Sequence, residues 1–357
     1  MTSWDAEHFR ARLQETLDDF LARMGDRLAP LGPDALRLLE EARGVVGGGK
    51  RFRAAFCWWG FRAVRPEALT ADEERALLRA CAALELLHAS ALVHDDLMDA
   101  SDTRRGRPAS HRAFATEHRR DGWTGDPDQY GAAGAILLGD LLLSWSDELL
   151  RRCGLGSEEV AAAMDVFDLC RSEVIAGQFL DVSVQARGRA DVDAAMTVLR
   201  FKSAKYSIER PLHVGAALAG AGEDATTALR AYGLPLGEAF QLRDDLLGVF
   251  GDAVETGKPA GDDLVEGKRT VLVALALDAL PDGDAALLDA ALGTPLDVAE
   301  VDRLRGVIEA SGAPAQVEAV IRDLADHALA ALERAPIDEA GREVLRGLAA
   351  DVTHRVR

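Results

Sequence analysis

Three aspartates crowd one short stretch, LVHDDLMDASDTRRGRP. Asp95 and Asp99 are four residues apart and Asp96 and Asp99 three apart, so on a helix they share an edge, roughly 5–6 Å apart at Cβ. Like charges packed this way destabilise a helix unless something neutralises them. A hard divalent cation does so, and Mg²⁺ favours one or two carboxylates completed by water and phosphate oxygens. A second acidic pair, Asp244 and Asp245 in FQLRDDLLGVFGD, again lies among apolar residues that read as helix. Two such pairs in one helical chain can face each other across a cavity and hold a diphosphate through metal ions. Basic partners are present as well. Arg104 and Arg105 follow the first motif directly, Lys50 and Arg53 share one helix face, and Lys202, Lys258 and Lys268 come later. Arginine offers a bidentate fork to phosphate and lysine a point charge.

The elements that must position these groups read as helices. The 357 residues include 48% hydrophobic but only 5% aromatic residues, so Ala, Leu and Val must build the core. Helices are expected over residues 5–29, 34–43, 72–99, 130–153, 157–186, 194–219 and 226–250, with more beyond 270. Gly47–Gly49 form a flexible approach to the helix opened by Lys50, Arg51 and Arg53. Residues 100–130 read as irregular, with EHRRDGWTGDPDQY a candidate mobile loop, and 251–270 as a long Gly-rich loop that could close as a lid. No alternating strand signal stands out and no linker divides the chain. The expectation is therefore one all-α domain over 1–357, with the motifs between about 34 and 275.

The net charge of −19, from 41 basic and 60 acidic residues, repels nucleic acid and sets that class aside. It also repels diphosphates, so such a site needs bridging cations or a local basic cluster. Cys57, Cys81, Cys153 and Cys170 show no C-x-x-C spacing and read as buried thiols of a cytoplasmic protein. The N-terminus lacks an apolar leader core, and no apolar stretch is expected to reach the roughly 18 residues needed to span a bilayer, so no stable membrane insertion is expected.

In order, GGGKRFRA, HDDLMDASDTRRGRP, LLGD, GQFLD, KSAKYS, QLRDDLLG and GKPAGDDLVEGKR resemble the trans-isoprenyl diphosphate synthase family, most like bacterial geranylgeranyl diphosphate synthases. The resemblance implies an all-α, single-domain bundle of long antiparallel helices around a deep central cavity, and a homodimeric Mg²⁺-dependent prenyltransferase with three Mg²⁺ per site. Asp95, Asp96 and Asp99 would hold metal on an allylic diphosphate, and Asp244, with Asp245 beside it, a further ion. Arg104, Lys202 and Lys258 match contacts to the allylic diphosphate. Lys50, Arg53, His88 and Arg105 match the isopentenyl diphosphate site, with Lys268 a further substrate-binding candidate. Gln178 and Asp181 match a pocket pair, and Ser203 and Gln241 polar groups near the reacting carbons. The family's second motif usually ends in a third Asp; here Gly248 stands there, with Asp252 one turn on. His88 and Ser203 replace the family's common Gln and Thr.

The reaction implied is ionisation of the allylic C–O bond, attack by the isopentenyl double bond, and loss of a proton to the departing diphosphate. Small residues at Ser90 and Ala91, with Leu87 below them, leave a deep floor where fifteen-carbon synthases usually carry an aromatic. A twenty-carbon or longer product is therefore expected. Two rival functions would leave different marks. A class I terpene cyclase would carry an Asn/Asp–Ser–Glu triad and aromatic lining in place of the second motif. A non-catalytic subunit would tend to lose the first motif. Neither pattern is present.

Overall fold

Helix α4 (Ala71–Met98) shows how this sequence makes its long elements. Thr70 and Glu73 form a reciprocal capping box at its start, and Asp72, Glu73 and Glu74 place negative charge in the first turn, where the helix dipole favours it. Behind the cap, Ala and Leu carry the helix with little rotamer cost, and its interior from Ala76 to Val93 is buried almost throughout. By length and composition α4 could cross a membrane, contrary to the expectation from sequence. The segment matches because Glu85 and His88 are the main polar interruptions over a long stretch, and 78% of it is buried.

The computed structural model describes residues 5–188, 191–251 and 261–353. The described chain is all-α apart from one two-stranded hairpin. It divides into two compact units. The first comprises Met1–Val166, Pro211–Ala221 and Asp338–Gly341. Here α1 (Ala6–Leu28), α3 (Phe52–Val64), α5 (Ser110–Arg120) and α6 (Pro127–Arg151) pack against α4, and α2 (Pro33–Val46) packs against α1, α4 and α6. Close backbone approaches in this unit include two at Gly60 and Gly215. A Cβ at Gly60 would meet the Leu212 carbonyl carbon at 3.0 Å, and one at Gly215 would meet the Cys57 carbonyl carbon at 2.8 Å.

The second unit comprises Phe167–Arg210, Gly222–Ile337 and Arg342–Arg357. Within it α10 (Glu223–Phe250) packs on the helix Ala313–Glu333 around a core that includes Leu242, Leu246, Leu264, Leu272, Ile308 and Val317. Helix α7 (Ser157–Arg187) enters this unit at Phe167.

Two further sequence expectations are corrected. Residues 110–120 are helical, and the following turn is anchored, with Trp123 packed edge-on against His118 and Tyr130. The all-α expectation holds: the pairing of Thr103–Arg104 antiparallel with Arg107–Pro108 is below the length at which alternation shows in sequence. The expected helix over 194–219 is three pieces, α8 (Val192–Val198), a π-helical segment (Leu199–Glu209) and α9 (Arg210–Leu218). The wider turn is visible in the Arg210 N–H, which donates to the carbonyl of Lys205, five residues back. Wide turns of this kind concentrate at functional sites.

Candidate active site

Asp95, Asp96 and Asp99 close α4, at its C-terminal end. The helix dipole is negative there, so three carboxylates are placed against it. Something cationic must offset the cost. In the structure part of that role falls to Arg104, whose Nε donates to Asp96 Oδ1 at 2.8 Å while its Nη2 pairs with the same oxygen and lies 3.6 Å from Asp95 Oδ2. Asp96 is buried and Asp95 half-buried. Arg104 reaches back because the chain reverses immediately after it. Arg105 and Gly106, the two residues at the hairpin tip, both have positive φ (52° and 72°), which a tight type I′ connection requires.

That reversal also builds a basic cavity of about 330 Å³, lined in part by Gly47–Gly49, Asp96, Arg104, Arg105 and Arg107. The guanidiniums of Arg105 and Arg107 lie over bare glycine backbone. A Cβ at Gly49 would meet Arg105 Nη2 at 3.0 Å, and one at Gly44 would meet Arg107 Cζ at 2.6 Å. Arg105 Nη1 donates to the Gly47 carbonyl at 3.1 Å. Beneath this turn Arg51 takes a left-handed backbone (φ 58°), strained for a residue with a side chain. Its buried side chain holds the strain in place: Nη1 donates to Glu85 Oε2 at 2.9 Å, and Nη2 to Gln14 and to the Val46 carbonyl. Glu85 also accepts from the Ala54 N–H, so one carboxylate fixes the turn and the start of α3. Lys50 and Arg53 flank this anchor. His88 lies among the same guanidiniums. Burial, and then the charges of Arg53, Arg105, Arg104 and Arg51, hold its imidazole well below the ordinary range, so it is neutral at pH 7.

The second unit carries its own constellation. Asp244 and Asp245 lie in the last turns of α10, again at the negative end of a helix. Gln241 Nε2 donates to Asp245 Oδ1 at 2.9 Å. Asp245 is buried, and burial, reinforced by Asp263 and Asp244, pushes its carboxyl up to about 8. Lys268 Nζ sits 3.6 Å from Asp263 Oδ1. On the π-helical segment Lys202 pairs with Asp181 Oδ2 at 2.5 Å, joining two of the expected residues. Gly177 makes that possible, because a Cβ there would meet Phe201 C at 2.6 Å and Lys202 Cα at 2.8 Å. Gln178 follows on the same helix, and Ser203 is half-buried beside Lys202.

Among the described residues no three Asp, Glu, His or Cys side chains converge as a ready metal cage. An all-oxygen, incomplete donor set suits Mg²⁺, which keeps water and takes phosphate oxygens. Lys258 and Asp252 lie outside the described residues. Ser90 and Leu87 are buried on α4 and Ala91 is half-buried. Arg51, Glu85, Arg107, Gly177 and Asp263 are site-building residues that sequence reasoning missed. Arg51, Arg107, Gly177 and Asp263 lie within the quoted motifs without a role read for them, and Glu85 stands out as a lone acid within an apolar helix.

A sequence model described as Polyprenyl synthetase matches residues 37–308. The chain belongs to that family. This synthase resembles the crystal structure of geranylgeranyl pyrophosphate synthase from Corynebacterium glutamicum complexed with isoprenyl diphosphate and magnesium. The likeness has a TM-score of 0.96 at 40% identity and covers 99% of this chain and 100% of that one. It is 30% identical to the geranylfarnesyl diphosphate synthase of Natronomonas pharaonis, over 98% of each chain. It is 36% identical to the (2E,6E)-farnesyl diphosphate synthase of Mycobacterium bovis, over 72% of this chain and 67% of that one. The synthase is thus a prenyltransferase of the prenyl diphosphate synthase type.

Proposed function

We propose that this synthase condenses isopentenyl diphosphate with an allylic diphosphate (dimethylallyl, geranyl or farnesyl), with three Mg²⁺ per site, and releases geranylgeranyl diphosphate. The observation that carries the reading is the arginine-lined cavity sharing Asp96 and Arg104 with the first acidic motif. A terpene cyclase needs one diphosphate site, whereas this cavity offers a second, anion-binding pocket next to the acidic motif.

Bound Mg²⁺ would neutralise the diphosphate that leaves; Asp95, Asp96 and Asp99 are the residues of the first unit that would hold it, and Asp244 is the residue of the second that would hold a further ion. Arg104, now on Asp96, would turn to the phosphate oxygens as the cation takes over the carboxylate. Arg105, Lys50 and Arg53 would grip isopentenyl diphosphate, and neutral His88 would add a hydrogen bond without a further cation in an already crowded cluster. The allylic C–O bond breaks and its electrons leave with the diphosphate. The isopentenyl double bond then forms the new C–C bond, and a proton passes to the released diphosphate. Lys202, Ser203 and Gln241 would orient the reacting carbons. Catalysis would come from placement and fixed charge.

The buried Ser90 and half-buried Ala91 support a twenty-carbon product, since neither blocks growth along α4. The relatives' names span farnesyl to geranylfarnesyl, so the floor carries this part of the reading. The family match crosses both units, which supports one functional domain. The exposed apolar side of α7, with Leu169, Ile175, Phe179 and Leu180, supports a homodimer. Four buried free thiols suit a reducing cytoplasm.

The test is product analysis with each allylic primer, isopentenyl diphosphate and Mg²⁺. Twenty-carbon product is expected from the wild type, and shorter product from Ser90→Phe. Asp96→Asn should lose about 10²–10³-fold in rate. Turnover of farnesyl diphosphate without isopentenyl diphosphate would overturn the reading.

A further inference from the structure

The second acidic motif of this family ordinarily ends in a carboxylate one turn beyond its first pair, and this chain has Gly248 there. We infer that Asp263 supplies the missing carboxylate from outside the helix, as a positioning residue for the divalent cation at Asp244; the inference rests on the diphosphate-synthase reading.

The geometry is specific. A Cβ built on Gly248 would meet Asp263 Cγ at 2.5 Å, with Oδ2 closer still. The Asp263 carboxylate therefore occupies the space that a side chain at 248 would fill. It is held there from several directions. Gly261, with φ 79°, turns the chain into the short helix Asp262–Val265, and a Cβ on it would meet Val301 Cγ1 at 2.5 Å. Leu264, the next residue, is buried in the core, and its carbonyl accepts from Gly293 N–H at 3.0 Å. Lys268 N–H donates to the Asp263 carbonyl at 3.0 Å, and Lys268 Nζ lies 3.6 Å from the carboxylate. The Asp263 side chain is only 16% exposed. A carboxylate fixed by its own segment, over a glycine in a helix that otherwise supplies the ligands, is an exchange of position rather than a loss.

The probe is Mg²⁺ with inorganic pyrophosphate, read by calorimetry and by the Mg²⁺ dependence of thermal stability on the full chain. Asp263→Asn keeps the shape and removes the charge. It should raise the half-saturating Mg²⁺ concentration roughly tenfold or more, the range for outer-shell metal partners, with circular dichroism unchanged. Moving the carboxylate back, in Gly248→Asp/Asp263→Gly, should restore it to within about threefold, a coupling that independent sites would not show. Asp244→Asn is the control for the underlying reading. If Asp244→Asn loses Mg²⁺-dependent binding while Asp263→Asn keeps the wild-type requirement, the inference is overturned and the reading stands. A double variant no better than Asp263→Asn also overturns it. If Asp244→Asn binds as the wild type does, the reading itself falls and takes the inference with it.

Discussion

Replacing Gly177 by alanine tests how the π-helical segment places Lys202. A methyl on Gly177 would lie 2.6 Å from Phe201 C and 2.8 Å from Lys202 Cα, and nearer still to the Lys202 nitrogen. Ordinary contact is about 3.4–4 Å, so the two backbones must part by roughly 1 Å, and no side-chain rotation relieves a clash with main chain. Overpacking of this kind costs about 1–3 kcal/mol. The helix gains back up to about 1 kcal/mol when Gly becomes Ala in its interior. The net expectation is about 1–2 kcal/mol of destabilisation, a fall of a few degrees in melting temperature for a chain of this size. The effect on rate should be larger in proportion. Lys202 sits on the displaced strip of backbone and is held to Asp181 at 2.5 Å. A displacement near 1 Å at a positioning group can cost about 10²-fold. Steady-state kcat/KM for both substrates, alongside calorimetric melting, would measure both. A variant that melts lower but turns over normally would refute the placement role of Gly177. One unchanged in both would refute the close approach itself.

Two other predictions follow from buried charge. Glu85→Gln leaves Arg51 with a buried, uncompensated guanidinium beneath the Gly47–Lys50 turn, and should cost about 3–5 kcal/mol of stability together with a raised KM for isopentenyl diphosphate. Urea denaturation and initial rates check this, and a variant as stable as the wild type would remove the anchoring role. Asp245 is held protonated up to about 8, against an ordinary 3.8, chiefly by burial. The folded state then binds this proton more tightly than the unfolded chain, so the contribution is full below about pH 4 and is lost as pH rises through about 8. Without metal, melting temperatures from pH 5 to 9 should fall more steeply for the wild type than for Asp245→Asn, and parallel curves would contradict the assignment.

Sequence determined a good deal of this protein. Helix-forming composition and long apolar runs specify the α-helical elements, since propensity and burial pattern are local properties. The order of acidic and basic motifs points to family and chemistry, because helical spacing puts Asp95 and Asp99 on one edge whatever surrounds them. Tertiary structure decided what depends on residues far apart in the chain. Arg51 reads in sequence only as one of three basic residues opening a helix, yet Glu85 and Gln14 draw it inward, and only packing selects it over Lys50 and Arg53. The π-helical segment reads as ordinary helix because its wider turns leave the propensities unchanged; its close approaches to Gly177 and Gly237 appear only when the backbones meet. Gly248 reads as a missing ligand, and only the placement of Asp263 beside it shows where a carboxylate went. Spacing along a helix is written in the sequence, whereas the contact between a bare glycine and a distant side chain exists only once the chain has folded.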